Sequence, residues 1–281
     1  MARQVELRLA PWTVLVVLVA AALLGWVLVS WWGTGASVAS KAPWLSTTHG
    51  QVTLYYKPVD QDQIPALVEH VDRALDRLQS FFGTPLPRPL DFYLFPDRHS
   101  LTEHWKRQWG LPFFISMCWM VGSGSATNLS LLSPRAWGKH ACEHDPADRD
   151  HVQKLVTHEL VHSFHDQVHP SADIGVLEEI GWFIEGLAVY VAGQLEGDRL
   201  ASPREAIENG EAPKALERAW SGTYRYGVSG SLVAYIDQTY GRPTTVALLQ
   251  ASTETDILNA LGESEAQLLG NWKRFVLNGG V

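Results

Sequence analysis

The chain has 281 residues and a formal charge of −8, from 22 Lys+Arg against 30 Asp+Glu. That length suits one domain with appendages and is ample for a buried core. The acidic balance excludes a phosphate-tracking nucleic-acid binder, and 46% apolar residues with 12 Trp exclude a mainly disordered chain.

No charged residue occurs from Leu9 to Ser40. Within that window Thr13 to Trp32 is almost wholly apolar, about 20 residues and roughly enough helix to cross a hydrocarbon core. Trp12, Trp26, Trp31 and Trp32 lie near its ends, where indoles prefer the membrane–water interface. The run exceeds the usual signal-peptide core of about 7–15 residues, so it reads as an anchor over residues 11–32. Arg3 and Arg8 precede it and only Lys41 follows closely. The positive-inside bias therefore expects residues 1–10 in the cytoplasm and the rest outside, a single-pass membrane protein.

Residues 33–48 are small, polar and punctuated by Gly and Pro, which reads as a tether to a main domain over 49–281. Gln51 to Lys57 is β-branched and aromatic, a first strand. Asp60 or Asp62 is placed to cap the next element. Ile64, Leu67, Val71, Leu75, Leu78 and Phe82 then follow at helical spacing up to a stop at Gly83. Leu90 to Phe95 is a second strand. Between 111 and 135, apolar runs broken by Gly122-Ser123-Gly124-Ser125 suggest two more strands or a hairpin. Cys118 and Cys142 are expected to pair in an oxidising space, closing a loop worth roughly 3 kcal/mol in the chain-entropy model. From 149 onward the pattern is mostly helical, near 149–168, 177–193, 213–220, 227–240, 243–250 and 263–277. Strands first and helices later predict an α+β fold.

Seven of the 11 histidines fall between 140 and 169, and among them His158-Glu159-Leu160-Val161-His162 forms an HExxH motif. Chance would produce that pattern roughly 0.02 times in a chain of this composition. Residues four apart share a helical face, so His158 and His162 can present both imidazoles to one ion, with Glu159 beside them. Zinc in a catalytic site takes three protein ligands and keeps a position for water, and the water needs a base. Glu159 suits that role. His165 is a poor third ligand, because His158 and His165 stand roughly 10 Å apart along the helix axis. Glu185 lies in the apolar segment Trp182-Phe183-Ile184-Glu185-Gly186-Leu187-Ala188-Val189-Tyr190, where an unpaired carboxylate is expensive. Zinc would be a fitting partner for it. Glu178 and Glu179 read as solvated or capping residues.

HELVH, with Glu185 following His162 after 22 intervening residues, resembles the gluzincin branch of zinc metallopeptidases, the thermolysin-like MA clan. The nearer likeness is to peptidase-MA-like domains with a W-x-x-E-G-x-A-x-Y second helix. Tyr226-Gly227-Val228-Ser229-Gly230 through Tyr240-Gly241 is similar to a later helix of that family. The resemblance implies a zincin-like fold: a small N-terminal mixed sheet, an active-site helix, and a mostly helical C-terminal part. It implies His158, His162 and Glu185 as Zn2+ ligands, Glu159 as catalytic base and Tyr226 as a transition-state hydrogen-bond donor, with Tyr224 two residues away. It also implies that Ser125–Ser133 is an edge strand for an extended peptide. Thermolysin-like enzymes often carry Asp four residues after the ligand Glu. Here that place is Val189, so another acceptor, such as a backbone carbonyl, would hold the imidazole.

The function expected is a membrane-anchored zinc metallopeptidase acting on peptide or protein substrates. A non-catalytic zinc-bearing scaffold that binds a partner is the rival, disfavoured because a structural site needs no base and usually has four protein ligands. Substrate sequence and oligomeric state are left open.

Overall fold

The computed structural model describes residues 38–171 and 173–281; the anchor expected over residues 11–32 lies outside them. Among the described residues no helix is long and apolar enough to cross a membrane. Mixed α+β architecture is observed. Strand β1 (Leu45–His49) pairs antiparallel with β2 (Val52–Tyr56), and β2 runs parallel to β3 (Leu90–Phe95). Strands β4 (Gly122–Gly124) and β5 (Asn128–Leu132) pair antiparallel, and β5 lies parallel to β3, giving the order β1-β2-β3-β5-β4.

Period-two alternation sets the two faces of this sheet. On one face, Ser130 accepts from the Trp105 indole N–H at 2.8 Å, and Tyr93 lies by His104; both partners belong to α2 (Arg98–Gln108). The other face carries buried Phe92, Leu94, Leu129 and Leu131. Helix α1 (Ile64–Phe82) presents Leu67, Val71, Ala74 and Leu78 to the core and stops at Gly83, whose φ of 77° suits glycine. After the short α3 (Pro134–His140) comes α4 (Arg149–Val168), capped by the Asp148 carboxylate on two backbone N–H groups. Phe82 of α1 stacks on Phe164 of α4 at 4.2 Å. Asp166 holds the turn before β5 and the loop after α4 together, accepting from Ala126 N at 2.6 Å and Ile174 N at 2.9 Å.

The C-terminal part is helical: α5 (Gly181–Val191), α6 (Gly197–Glu208), α7 (Arg225–Tyr240), α8 (Arg242–Ala247), α9 (Glu254–Leu261) and α10 (Glu265–Leu277). Helices α5 and α7 cross where both have small residues. A Cβ on Gly186 would overlap the backbone carbonyl of Ser229, and one on Gly230 would stand 2.6 Å from Val189 Cγ1. Val189 is thus a packing residue at this crossing.

Three expectations need correction. The stretch read as a tether over 33–48 contributes β1, which pairs with β2 through five residues. Asp60 caps no helix: it lies buried in a 3-10 turn, accepting from the Ser133 hydroxyl at 2.7 Å, and the N-cap of α1 is Gln63 without a side-chain bond. Ser125–Ser133 is not the sheet edge. It contains β5, flanked on both sides, and the edge strand is Gly122–Gly124.

The helix crossing yields a stability prediction. Gly186→Ala should destabilise the fold by about 1–3 kcal/mol, because backbone rather than a flexible side chain blocks the new methyl. Gly138→Ala, in α3 with nothing within 4 Å of its Cβ position, should be neutral or stabilise by up to about 1 kcal/mol. Urea unfolding of the two variants checks this; equal midpoints would refute the close-packed crossing.

Candidate metal centre

The interior face of α4 carries His158, Glu159 and His162, all but covered by neighbouring elements. Opposite them, α5 projects Glu185, with 28% of its side chain exposed, so the group is open on one side. His158 Nε2 and His162 Nε2 lie 3.1 Å apart; Glu185 oxygens stand 3.4 Å from the first and 3.7 Å from the second. Two ligands each about 2.0–2.1 Å from a tetrahedral ion are separated by roughly 3.3 Å. The observed separations, two of them to different Glu185 oxygens, lie near that value, so His158, His162 and Glu185 form a group that could hold a metal ion. They are the one group of this kind among the described residues.

Electrostatics distinguish the two histidines. Burial pulls the His162 imidazole down to about 4, leaving it neutral at physiological pH with a free lone pair. Burial also lowers His158, but its hydrogen bond to Glu185 and the charges of Glu159 and Glu185 outweigh this and leave it raised. Glu185 remains low despite burial, because both imidazoles favour its charge. Burial pushes Glu159 up to about 7, partly offset by His158 and by a hydrogen bond from the Gly124 backbone N–H.

Glu159 is pressed against the edge strand. A Cβ on Gly122 would lie 2.7 Å from Glu159 Oε1, and one on Gly124 would overlap the Glu159 carbonyl oxygen and stand 3.0 Å from Ser163 Oγ. Only a strand without side chains on that face can approach α4 so closely. The edge strand and the carboxylate are therefore in direct contact.

The acceptor that stands where Val189 cannot serve is Gln194. Its Oε1 lies 3.0 Å from His158 Nδ1, in the turn that follows α5. Accepting from Nδ1–H fixes the tautomer in which Nε2 is free for a metal. Sequence reasoning missed this residue, since a lone polar side chain in a turn carries no periodic signal. His165 is turned away: it is fully buried, and its Nε2 approaches the Leu249 carbonyl at 3.2 Å. His169 likewise faces Ala251, and His151 pairs with His144 at 2.7 Å beside Trp137. The histidine stripe thus serves three different places. Glu178 and Glu179 are exposed.

Tyr226, in the first turn of α7, packs edge-on against Trp220 with centroids 4.8 Å apart. The guanidinium groups of Arg199 and Arg225 lie 4.5 and 4.9 Å from its ring centre. Burial raises its hydroxyl pKa, and the Glu185 charge adds to the rise. Tyr224 turns elsewhere, its hydroxyl accepting from Asn209 Nδ2 at 3.2 Å.

No protein-family model matches the chain, and no curated protein matches it.

Two measurements bear on the ligand set. Glu185→Ala should lose zinc affinity strongly while His165→Ala keeps it, read by dialysis against a competing chelator; the opposite outcome would overturn the ligand assignment. Gln194→Ala should lower affinity about 10–100-fold through His158 alone, and an unchanged affinity would remove Gln194 from the site.

Proposed function

We propose that the protein is a zinc-dependent metallopeptidase with a zincin-like fold, carried outside the cell membrane on an N-terminal anchor. The observation that bears most weight is the convergence of His158, His162 and Glu185 ligand atoms within 4.8 Å of one another, with Glu159 buried beside them. A structural site would use a fourth protein ligand, and among the described residues no other side chain joins the group.

When bound, zinc supplies Lewis-acid polarisation of a carbonyl and acidifies a water molecule. The chain's own residues do the rest. His162 enters as a neutral donor, His158 becomes one by releasing the proton it shares with Glu185, and Glu185 brings one negative charge, which would leave a net positive centre able to attract a developing oxyanion. Glu159, near neutrality in its acid strength, takes a proton from the attacking water and passes it to the departing amine nitrogen. The bond broken is the carbon–nitrogen bond of the peptide, and the bond formed joins that carbon to the water oxygen. Tyr226 is the candidate donor to the same oxyanion. The exposed edge of β4 offers backbone groups to an extended peptide, which would bring its scissile bond past Glu159.

Glu159→Gln tests the assignment, since the amide keeps the shape and removes the base. Hydrolysis of a peptide library should fall at least about 10³-fold, toward the upper range attributed to acid–base catalysis, while bound zinc stays near the wild-type amount. Substantial turnover in the variant, with contaminating peptidases excluded, would falsify the role of Glu159.

A further inference from the structure

Ten large apolar side chains stand exposed among the described residues, and six of them fall within the eleven residues from Trp109 to Trp119. Phe113 is 93% exposed and Ile115 79%, with Leu111, Met117 and the two tryptophans beside them. Phe114, between the first two, turns inward onto Trp105 and Trp109. The segment is fastened along its length. Leu111 N–H donates to Lys106 O at 3.0 Å, the Thr102 and Ser116 hydroxyls lie 2.6 Å apart, and Cys118 is bonded to Cys142. Arg98 donates to the carbonyls of Cys118, Met120 and His140. A fold that spends this many ties on displaying apolar side chains to water has a use for the display.

The surrounding charge narrows the partner. From Arg98 to Cys142 the chain carries Arg98, Lys106, Arg107, Arg135 and Lys139 against the single acid Glu103, in a protein whose net charge is −8. Lys106 pairs with Glu103, Arg135 with Asp60 and Asp62, and Arg98 with backbone carbonyls, so the exposed Arg107 and Lys139 are the cations that give this apolar display its complementarity to an anionic lipid headgroup layer. A side chain as exposed as Phe113 stands clear of its own surface and cannot wall a groove for a ligand. It suits a deformable medium into which it can sink. The chain also enters the domain on this side. Trp44, itself exposed, lies edge-on to Phe95 at 5.4 Å, and Phe95 lies 4.8 Å from His104 in α2, the helix whose end launches the loop. Ahead of Trp44 in the sequence comes the apolar run Thr13 to Trp32.

We propose that the loop from Trp109 to Trp119 docks the domain onto an anionic lipid bilayer, a second attachment beside the N-terminal run. One apolar insertion alone binds reversibly, and two in one chain hold far better. The loop leads directly into β4, and Trp119 lies 5.4 Å from the Arg225 guanidinium. Docking therefore brings β4, which packs against Glu159, close to the membrane surface, where substrates near the bilayer would meet it. The geometric claim about substrates rests on the peptidase reading; the lipid contact does not.

The test uses the full chain. Its only two cysteines are joined to each other, so Phe113→Cys introduces a unique thiol at an exposed position, and Leu277→Cys provides an exposed control far along the chain. Each is labelled with an environment-sensitive fluorophore and reconstituted into phosphatidylcholine vesicles with or without phosphatidylglycerol. Lipids carrying a nitroxide on the acyl chain serve as quencher. The label at 113 should be quenched at least twofold more than the label at 277, and more strongly with phosphatidylglycerol present. Equal quenching at the two positions, or none at 113 in either vesicle, would overturn the proposal. So would crosslinking of position 113 to a second copy of the chain, which would make the loop a protein interface.

Discussion

His158, Glu159 and His162 are withdrawn from water beside a partly covered Glu185, and a fully buried group of this kind costs several kcal/mol if left alone. The surrounding structure answers that cost group by group. One histidine stays neutral and the other shares its proton with Glu185. Gln194 accepts from the far nitrogen of His158, and the Gly124 N–H donates to Glu159. An ion held between His158, His162 and Glu185 would complete the balance, since it replaces repulsion between Glu159 and Glu185 with attraction of both.

Much of the backbone around the centre follows from this arrangement. Helix α4 lies close against the sheet edge, which is thin at Gly122 and Gly124, while α5, on its other side, is thin at Gly186 where it crosses α7. Charged ties secure the outer end. Lys154 bridges Asp150 and Glu196 at 2.5 Å each, linking α4 to the start of α6. Farther out, Arg242 grips Asp237 and lies 3.5 Å from the ring centre of Phe81, while Tyr190 donates to the same Asp237. The helices that carry Glu185 and Tyr226 are thereby joined at their far ends as well as at their crossing.

Those parts of the molecule governed by local periodicity were legible in the sequence. The i, i+4 spacing of His158 and His162 needs only helical geometry, and a carboxylate in WFIEGLAVY announces itself by its apolar setting. Helix α4 spans the expected 149–168, and β3 spans 90–95. Less legible were features that depend on distant partners. Helix α2 buries only Leu101 and Trp105, so its polar sequence shows no apolar stripe. Helix α6 contains Pro203, normally a mark of interruption. The apolar run FFISMCWMV reads as part of a strand or hairpin, yet it is a loop in which Phe113, Ile115, Met117 and Trp119 turn outward. Gly122 and Gly124 read as a chain break, because nothing local reveals that a helix will lie against them.

The close fit of β4 to Glu159 also bears on how this protein can vary. Side chains alternate along a strand, so Gly122 and Gly124 face α4 and are closed to substitution, whereas Ser123 points the other way. Natural or laboratory drift in the strand is confined to that one position. New preferences at the edge of the cleft would therefore have to arise from the flanking loops, through changes of length and side chain that leave the three-residue strand untouched.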